Sequence, residues 1–331
     1  MDDDRRRAGL RLERIQASKQ FADGAFRNPT GIRPDVQGGA LPLLGEYFFG
    51  NVQRVPPAPL PVDRPHEAWA RAADTGFRAT WLGHSTVLLE VDGRRVLTDP
   101  VFGERASPFR FAGPRRFHPV PADLDELPPL DAVLLSHDHY DHLCRVTMQR
   151  LARMRVPIVT SLGVGAHLER FGVRPDCIHE LDWGERADVG GVRFIAAPAQ
   201  HFSGRGMRDR NRTLWSSWVV RTDRRKVFFS GDTGLMPQLE DIGAAHGPFD
   251  LVMLEVGAFH PSWAGIHLGP ENALKAFAML GGGTLLPVHW GTFALNREPF
   301  REPPRRLLGE ALRRGVEERI ALLSQGQSIR W

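Results

Sequence analysis

Ser136-His137-Asp138-His139-Tyr140-Asp141-His142 sets three histidines and two aspartates in the six positions from His137. Imidazole and carboxylate groups at such spacing bind divalent cations. In extended backbone alternate side chains share a face, so His137 and His139 can grip one cation together. Asp141 and His142 fall where the chain turns toward a helix and aim at a neighbouring point. The spacing therefore predicts two adjacent metal sites. The alternative is a polar loop that happens to be rich in histidine. An H-x-H pair followed by Asp-His, directly after the apolar run Asp131-Ala132-Val133-Leu134-Leu135, argues against it.

Further ligands are expected at other strand ends. Val192 to Gln200 leads into His201, Lys226 to Gly231 into Asp232, and Thr284 to Val288 into His289. Ligands delivered from several strand ends converge on one edge, where loops are free to vary. Five imidazoles and two carboxylates result. His137, His139 and His201 serve one cation; Asp141, His142 and His289 serve the other; Asp232 stands between them. A site made mostly of nitrogen suits two Zn2+ per chain, with Mn2+ or Fe2+ as alternatives. Cys144 lies two residues after His142 and is expected to be a small buried residue rather than a ligand.

These ends need strands and helices to hold them. Val87 to Val91, the Asp92-Gly93 step and Arg94 to Thr98 read as a hairpin with a type I′ turn. Helices are expected over residues 145–154, 236–242, 270–280 and 302–314, with strands returning over 320–331. Two packed β-sheets with helices on the outer faces is the natural α/β architecture for that alternation. Residues 1–75 read as an N-terminal arm packed on the core and 76–331 as the domain that carries the metal ligands. The arm holds a short helix around Arg11 to Ile15, an apolar stretch from Leu41 to Phe49, and an extended Pro-rich segment from Val55 to Pro61. Core packing is the expected role for residues 41–49, with a lipid or dimer contact as the alternative.

Composition restricts the choices. Hydrophobic content of 42% supports a packed core, and two cysteines do not make a disulfide scaffold;. The start of the sequence lacks the apolar region of a secretory signal, and no run reaches the length of a membrane span. A cytoplasmic protein is expected, with any membrane contact peripheral. The net charge of +4 favours phosphate-bearing partners;. Nucleic acid is disfavoured, since no basic tract is interleaved with aromatics. A homodimer is left open.

The motifs carry a more specific resemblance. HxHxDH, a lone His, Gly231-Asp232-Thr233-Gly234 and a late His are similar to the metallo-β-lactamase superfamily. Trp81 to Thr86, Thr98-Asp99-Pro100, Arg105 to Pro108, Gly113 to Phe117, Glu180 to Trp183, Gly247 to Asp250 and His289 to Leu295 resemble, in order, the N-acylphosphatidylethanolamine-hydrolysing phospholipase D group. The resemblance covers about residues 75 to 325. It implies an αββα sandwich and a dinuclear zinc phosphodiesterase that carries all seven ligands named above. It also implies a substrate-side role for His267, as phosphate ligand or proton donor to the leaving alkoxide. Asp99 and His84 become groups that orient ligand histidines.

Two cations holding a bridging hydroxide would attack phosphorus in line, or the carbon of a lactone or ester. Asp141, Asp232 and His267 are therefore the candidate catalytic residues. No Gly-x-Ser-x-Gly nucleophile elbow competes; Gly83-His84-Ser85-Thr86-Val87 ends in valine;. Residues 204–212 follow His201 closely and hold four arginines, of which Arg205 and Arg208 are candidates for docking a phosphate. The expected substrate is a phospholipid or a small phosphate ester. A lactonase or phosphoesterase acting on a small soluble metabolite is the alternative.

Overall fold

The computed structural model describes residues 2–32, 53–73, 75–206, 208–260, 263, 265–296 and 298–331, with side chains from residue 5 onward. The stretch Leu41 to Phe49 lies outside the described residues. Two sheets face each other. The first holds β3 (Phe77–Gly83), β4 (Thr86–Val91), β5 (Arg94–Thr98), β6 (Ala132–Leu135), β7 (Ile158–Ser161), β8 (Ile178–Leu181) and, beside β3, β15 (Ser328–Arg330). The second is made of β9 (Arg186–Val189), β10 (Val192–Ala197), β11 (Ser217–Arg221), β12 (Lys226–Phe229), β13 (Leu251–Glu255) and β14 (Thr284–Val288). A small hairpin, β1 (Phe21–Ala22) and β2 (Ala25–Phe26), precedes them.

Both sheets are mixed. β5 through β8 run parallel, as do β12 through β14, and the remaining pairs are antiparallel. Parallel strands need crossovers, so helices cover their outer faces and the strands read as continuous apolar runs. Between the sheets Phe77, Trp81, Leu89, Leu134, Phe194, Trp218, Phe229 and Leu286 form a sealed core. Outside the first sheet, helix Arg145–Met154 buries Met148 and Leu151 against Leu97 and Val133. Outside the second, Gln238–His246, Gly269–Met279 and Glu302–Arg314 cover Phe228, Val252 and Leu285. This is the αββα sandwich.

Parallel strands also explain the placement of chemistry, because their C-terminal ends emerge on one edge and the loops there build the site. The β4–β5 turn matches its sequence signal: Asp92 and Gly93 have φ of 50° and 77°, the left-handed pair a type I′ turn requires;. Helix Asp2–Ala17 is longer than the short segment the sequence suggested. Arg14 in its last turn complements the helix dipole, a weak signal without apolar periodicity;. The helix-and-hairpin segment packs on the core through Ile15 and Phe26 against Leu162, Leu214 and Trp215. Arg11 adds 2.6 Å ion pairs to Glu169 and Glu180. The strand pattern expected over 320–331 is mostly loop, with pairing only at Ser328–Arg330 and a single bridge from Ile320 to Leu285.

Candidate metal centre and its supports

The HxHxDH loop leaves β6 at Leu135 and returns to helix Arg145–Met154. His201 follows β10, Asp232 follows β12, and His289 follows β14 directly. The structure gathers all seven, together with His84, into two adjacent groups: His137, His139, His201 and Asp232, and His84, Asp141, His142 and His289. Within each group one donor atom per residue lies within 4.8 Å of the others. Asp232 Oδ2 joins them. It sits 3.1 Å from His289 Nε2, 3.2 Å from His142 Nε2, 3.7 Å from His201 Nε2 and 3.9 Å from His137 Nε2. Asp141 Oδ2 is 3.2 Å from His289 Nε2 and 3.4 Å from His142 Nε2. His139 and Asp141 are the partly exposed members, so the cluster opens on their side.

The inward nitrogens are aimed from behind. His142 Nδ1 donates to Asp99 at 2.7 Å, and His201 Nδ1 donates to the Ile266 carbonyl at 3.0 Å. Ser136 Oγ donates to Asp99 at 2.6 Å, which leaves it to accept from His137 Nδ1 at 2.8 Å. Each contact fixes the tautomer that presents a lone pair at Nε2. His84 donates through Nε2 to Asp141 at 3.0 Å. His84, Asp99 and His289 all have positive φ, of 53°, 32° and 63°, a costly conformation that the surrounding hydrogen bonds hold in place;. Gly231 must lack a side chain, since a Cβ there would lie 2.5 Å from Ser136 Cβ.

The electrostatics describe a cation-shaped hole. Burial raises the cost of charge on Asp141 and Asp232, yet His142 beside both holds them well below the usual carboxylate range. Burial, with His142 adjacent, pushes His137 well down, and burial does the same to His201. Burial with His289 alongside lowers His84 to about 3. His142 Nε2 and Asp232 Oδ1 are buried without a hydrogen-bond partner among the described residues. Native interiors rarely leave such atoms unpaired, and a divalent cation is the group this donor set satisfies.

Other expectations fare differently. His267 overhangs the cluster, its ring 4.9 Å from His201 and 5.5 Å from His289. Arg205 is a correction: it does not stand free beside the site. Its Nη1 donates to the carbonyls of Asp138 and Leu143, and its guanidinium lies 4.0 Å over Tyr140. It braces the ligand loop from below. Arg208 sits exposed on the same loop. Asp138 faces away, accepting from Gly204 N and Thr213 Oγ1. Cys144 is buried outside both groups.

Two supports went unread in the sequence. Glu255 is wholly buried; it accepts from His267 Nδ1 at 2.6 Å, Thr233 N at 2.9 Å and Leu268 N at 3.1 Å. The strand-end rule applied to β13 would have found it. Asn28 clamps His201 from the N-terminal segment, accepting from its N–H and donating to its carbonyl, both at 2.9 Å. No local pattern announces that contact.

A family model described as a β-lactamase superfamily domain matches residues 94–290, which spans β5 through His289. The chain belongs to the β-lactamase superfamily. It is a metal-dependent hydrolase of the metallo-β-lactamase fold. Within the superfamily it is 46% identical to an uncharacterised protein of Mycobacterium tuberculosis over 89% of this chain and 80% of that one. It is 36% identical to N-acyl-phosphatidylethanolamine-hydrolyzing phospholipase D 1 of Caenorhabditis elegans, over 72% of this chain and 71% of that protein. The mitochondrial enzyme of the same name from Saccharomyces cerevisiae is 33% identical over 87% and 67%. A metallo hydrolase from Ignicoccus hospitalis shares the fold at TM-score 0.59 and 21% identity, covering 77% of this chain and 98% of its own.

Proposed function

We propose that this protein is a dinuclear zinc phosphodiesterase that cleaves N-acylated ethanolamine phospholipids with phospholipase D outcome. The observation that carries the reading is Asp232 Oδ2, within 3.9 Å of an imidazole nitrogen from each of four ligand histidines drawn from both groups. One carboxylate oxygen so placed suits two cations that share a ligand. Similarity to the nematode and yeast phospholipases supports the substrate class.

His137, His139, His201 and Asp232 would hold one Zn2+, and Asp141, His142, His289 and Asp232 the other. When bound, the pair supplies Lewis acidity toward a phosphoryl oxygen and lowers the pKa of water. The protein does the rest. Asp99, Ser136 and the Ile266 carbonyl keep Nε2 lone pairs pointed inward. His84 holds Asp141 in place through its 3.0 Å contact. Burial opposes charge on His267, but the Glu255 carboxylate at Nδ1 raises the ring above the ordinary histidine value. The doubly protonated ring keeps Nδ1–H on Glu255 and carries an Nε2–H that donates to a phosphoryl oxygen or protonates the departing alkoxide;. The partly exposed side at His139 and Asp141 admits the substrate.

The test is a product assay on zinc-loaded protein given N-acylphosphatidylethanolamine, a soluble chromogenic diester, a monoester and a lactone. Release of phosphatidate and N-acylethanolamine, with diesters favoured over monoesters, is the expected result. Preference for the lactone or monoester would transfer the site to a small-metabolite hydrolase.

A further inference from the structure

The loop between β5 and β6 carries two phenylalanines that packing does not explain. Phe109 is 57% and Phe111 83% exposed, on a loop whose two ends are buried at Ala106 and Phe117. Single exposed apolar residues are ordinary on a protein surface. These two are neighbours, with ring centroids 5.7 Å apart, and Arg110 stands exposed between them in sequence. Residues 104–116 carry four arginines against one acid, Glu104, which is already paired with Arg115 at 2.6 Å. The tip is thus an apolar pair on a cationic collar.

The loop is built to hold that shape. Arg105 bridges Arg115, Ala106 N donates to Pro114 O at 3.1 Å, and Arg105 Nη1 donates to Gly113 O at 2.7 Å. Ser107 Oγ accepts from Phe109 N at 3.1 Å. A tip closed in this way loses little freedom on docking, so exposed rings are available without an ordering cost.

Its base is bolted to the rim of the metal cluster. Phe117 N donates to Thr292 O at 2.8 Å, and His118 Nε2 accepts from Thr292 Oγ1 at 3.1 Å. Thr292 Oγ1 in turn accepts from His84 N at 2.7 Å. Arg116 lies 5.2 Å over Phe293, and Phe293 meets the His84 ring edge-on at 5.4 Å. Whatever the tip docks on is therefore held in fixed register with the cluster.

We propose that this loop seats the protein on an anionic lipid bilayer, with Phe109 and Phe111 entering the interface and Arg110 meeting acidic headgroups. Aromatic rings belong at the headgroup boundary, and a nearby arginine adds an attraction that salt weakens. The biological purpose of such seating rests on the lipid reading above; the binding itself does not. A bilayer fits better than a protein groove, because the tip is small and charged of one sign, and the rings project beyond their anchors.

The test uses the full chain, zinc-loaded, with phosphatidylcholine vesicles and with mixed phosphatidylcholine–phosphatidylglycerol vesicles. Wild-type protein should co-sediment with the mixed vesicles at low salt and come off as salt rises, while binding pure phosphatidylcholine weakly. The double variant Phe109→Ser/Phe111→Ser should lose about tenfold or more in partitioning. Arg110→Glu should lose binding to the mixed vesicles selectively. All variants should keep melting temperature, zinc content and turnover of a soluble diester. Unchanged binding by the double variant, or equal wild-type binding to both vesicles, would overturn the proposal. So would absence of vesicle binding with self-association that the double variant abolishes, which would give the loop to a second copy. The two readings separate cleanly. Vesicle binding without cleavage of any diester sinks the phosphodiesterase and leaves the docking loop standing; diester cleavage without vesicle binding does the reverse.

Discussion

Asp99→Asn is a sharp probe of the site, because the structure dictates how the new amide must sit. Asp99 is fully buried and accepts from three donors: Ser136 N at 2.7 Å on Oδ1, and Ser136 Oγ at 2.6 Å and His142 Nδ1 at 2.7 Å on Oδ2. A backbone N–H can only donate, so the amide oxygen must take the Oδ1 position. Its NH2 then faces Ser136 Oγ and His142 Nδ1. The serine hydroxyl can rotate; the histidine must change tautomer. Its proton moves to Nε2 and points at Asp232, where the metal lone pair stood. The loss is one charge-assisted hydrogen bond, about 1.5–3 kcal/mol, the same range as the 10- to 100-fold loss in metal affinity typical of such supports, about 1.4 kcal/mol per tenfold. The apoprotein should suffer less, since an Nε2–H on His142 gains the Asp232 carboxylate as a partner. Competition against a chromogenic chelator measures the affinity, thermal unfolding with and without zinc measures the asymmetry, and nitrogen NMR of His142 reports the tautomer. Wild-type affinity together with full turnover would refute the reasoning.

Asp232→Ala should leave at most one zinc per chain by elemental analysis and rank among the most damaging single changes, since its Oδ2 contacts both groups; two tightly held ions would contradict that. Hydrolysis in oxygen-18 water should put the label in phosphatidate in a single turnover, and a trapped phosphoryl- or acyl-enzyme would exclude attack by water. His118 should add an acid-side liability: burial, with Arg116 nearby, lowers it to about 4 from the ordinary 6.5. The unfolded chain then binds the extra proton between those values, so its contribution is complete above about 6.5 and is lost as pH falls toward 4, by about 3 kcal/mol at most. The stability difference between wild type and His118→Gln should narrow over that window, and a pH-independent difference would remove His118 as the cause.

What the sequence disclosed and what it hid divide along physical lines. The ligands were legible because each follows a buried apolar strand, and the pleat and the strand end together fix where a side chain goes. Helices Arg145–Met154 and Glu302–Arg314 were legible from amphipathic spacing, and the β4–β5 turn from Asp92-Gly93. Helix Gly165–Arg170 is too short to show a period, and Glu180 from a distant strand secures its start by accepting from Gly163 N and Gly165 N. Asn28, paired with a residue 173 positions away, had no local sign. Arg205 looked like a free cation because sequence shows charge but not burial; the Tyr140 ring and two carbonyls that claim it are visible only in three dimensions.

The order in which the chain is made gives the Asn28 clamp and the β15–β3 pairing a further meaning. Thr80 meets Ser328 across 248 residues, and the His201 backbone is clamped by Asn28, 173 residues before it. Contacts of such separation form late, because the loop they close costs entropy before the contact repays it. While His289 is still unmade, the early histidines have no complete cage, and the first sheet lacks its edge until residues 328–330 arrive. On the proposed reading, metal capture would therefore wait for both sheets to close: a chain ending before His289 would offer His137 to His142 as a weak, exposed chelator, and the paired sites would form only once His201, Asp232 and His289 have joined them.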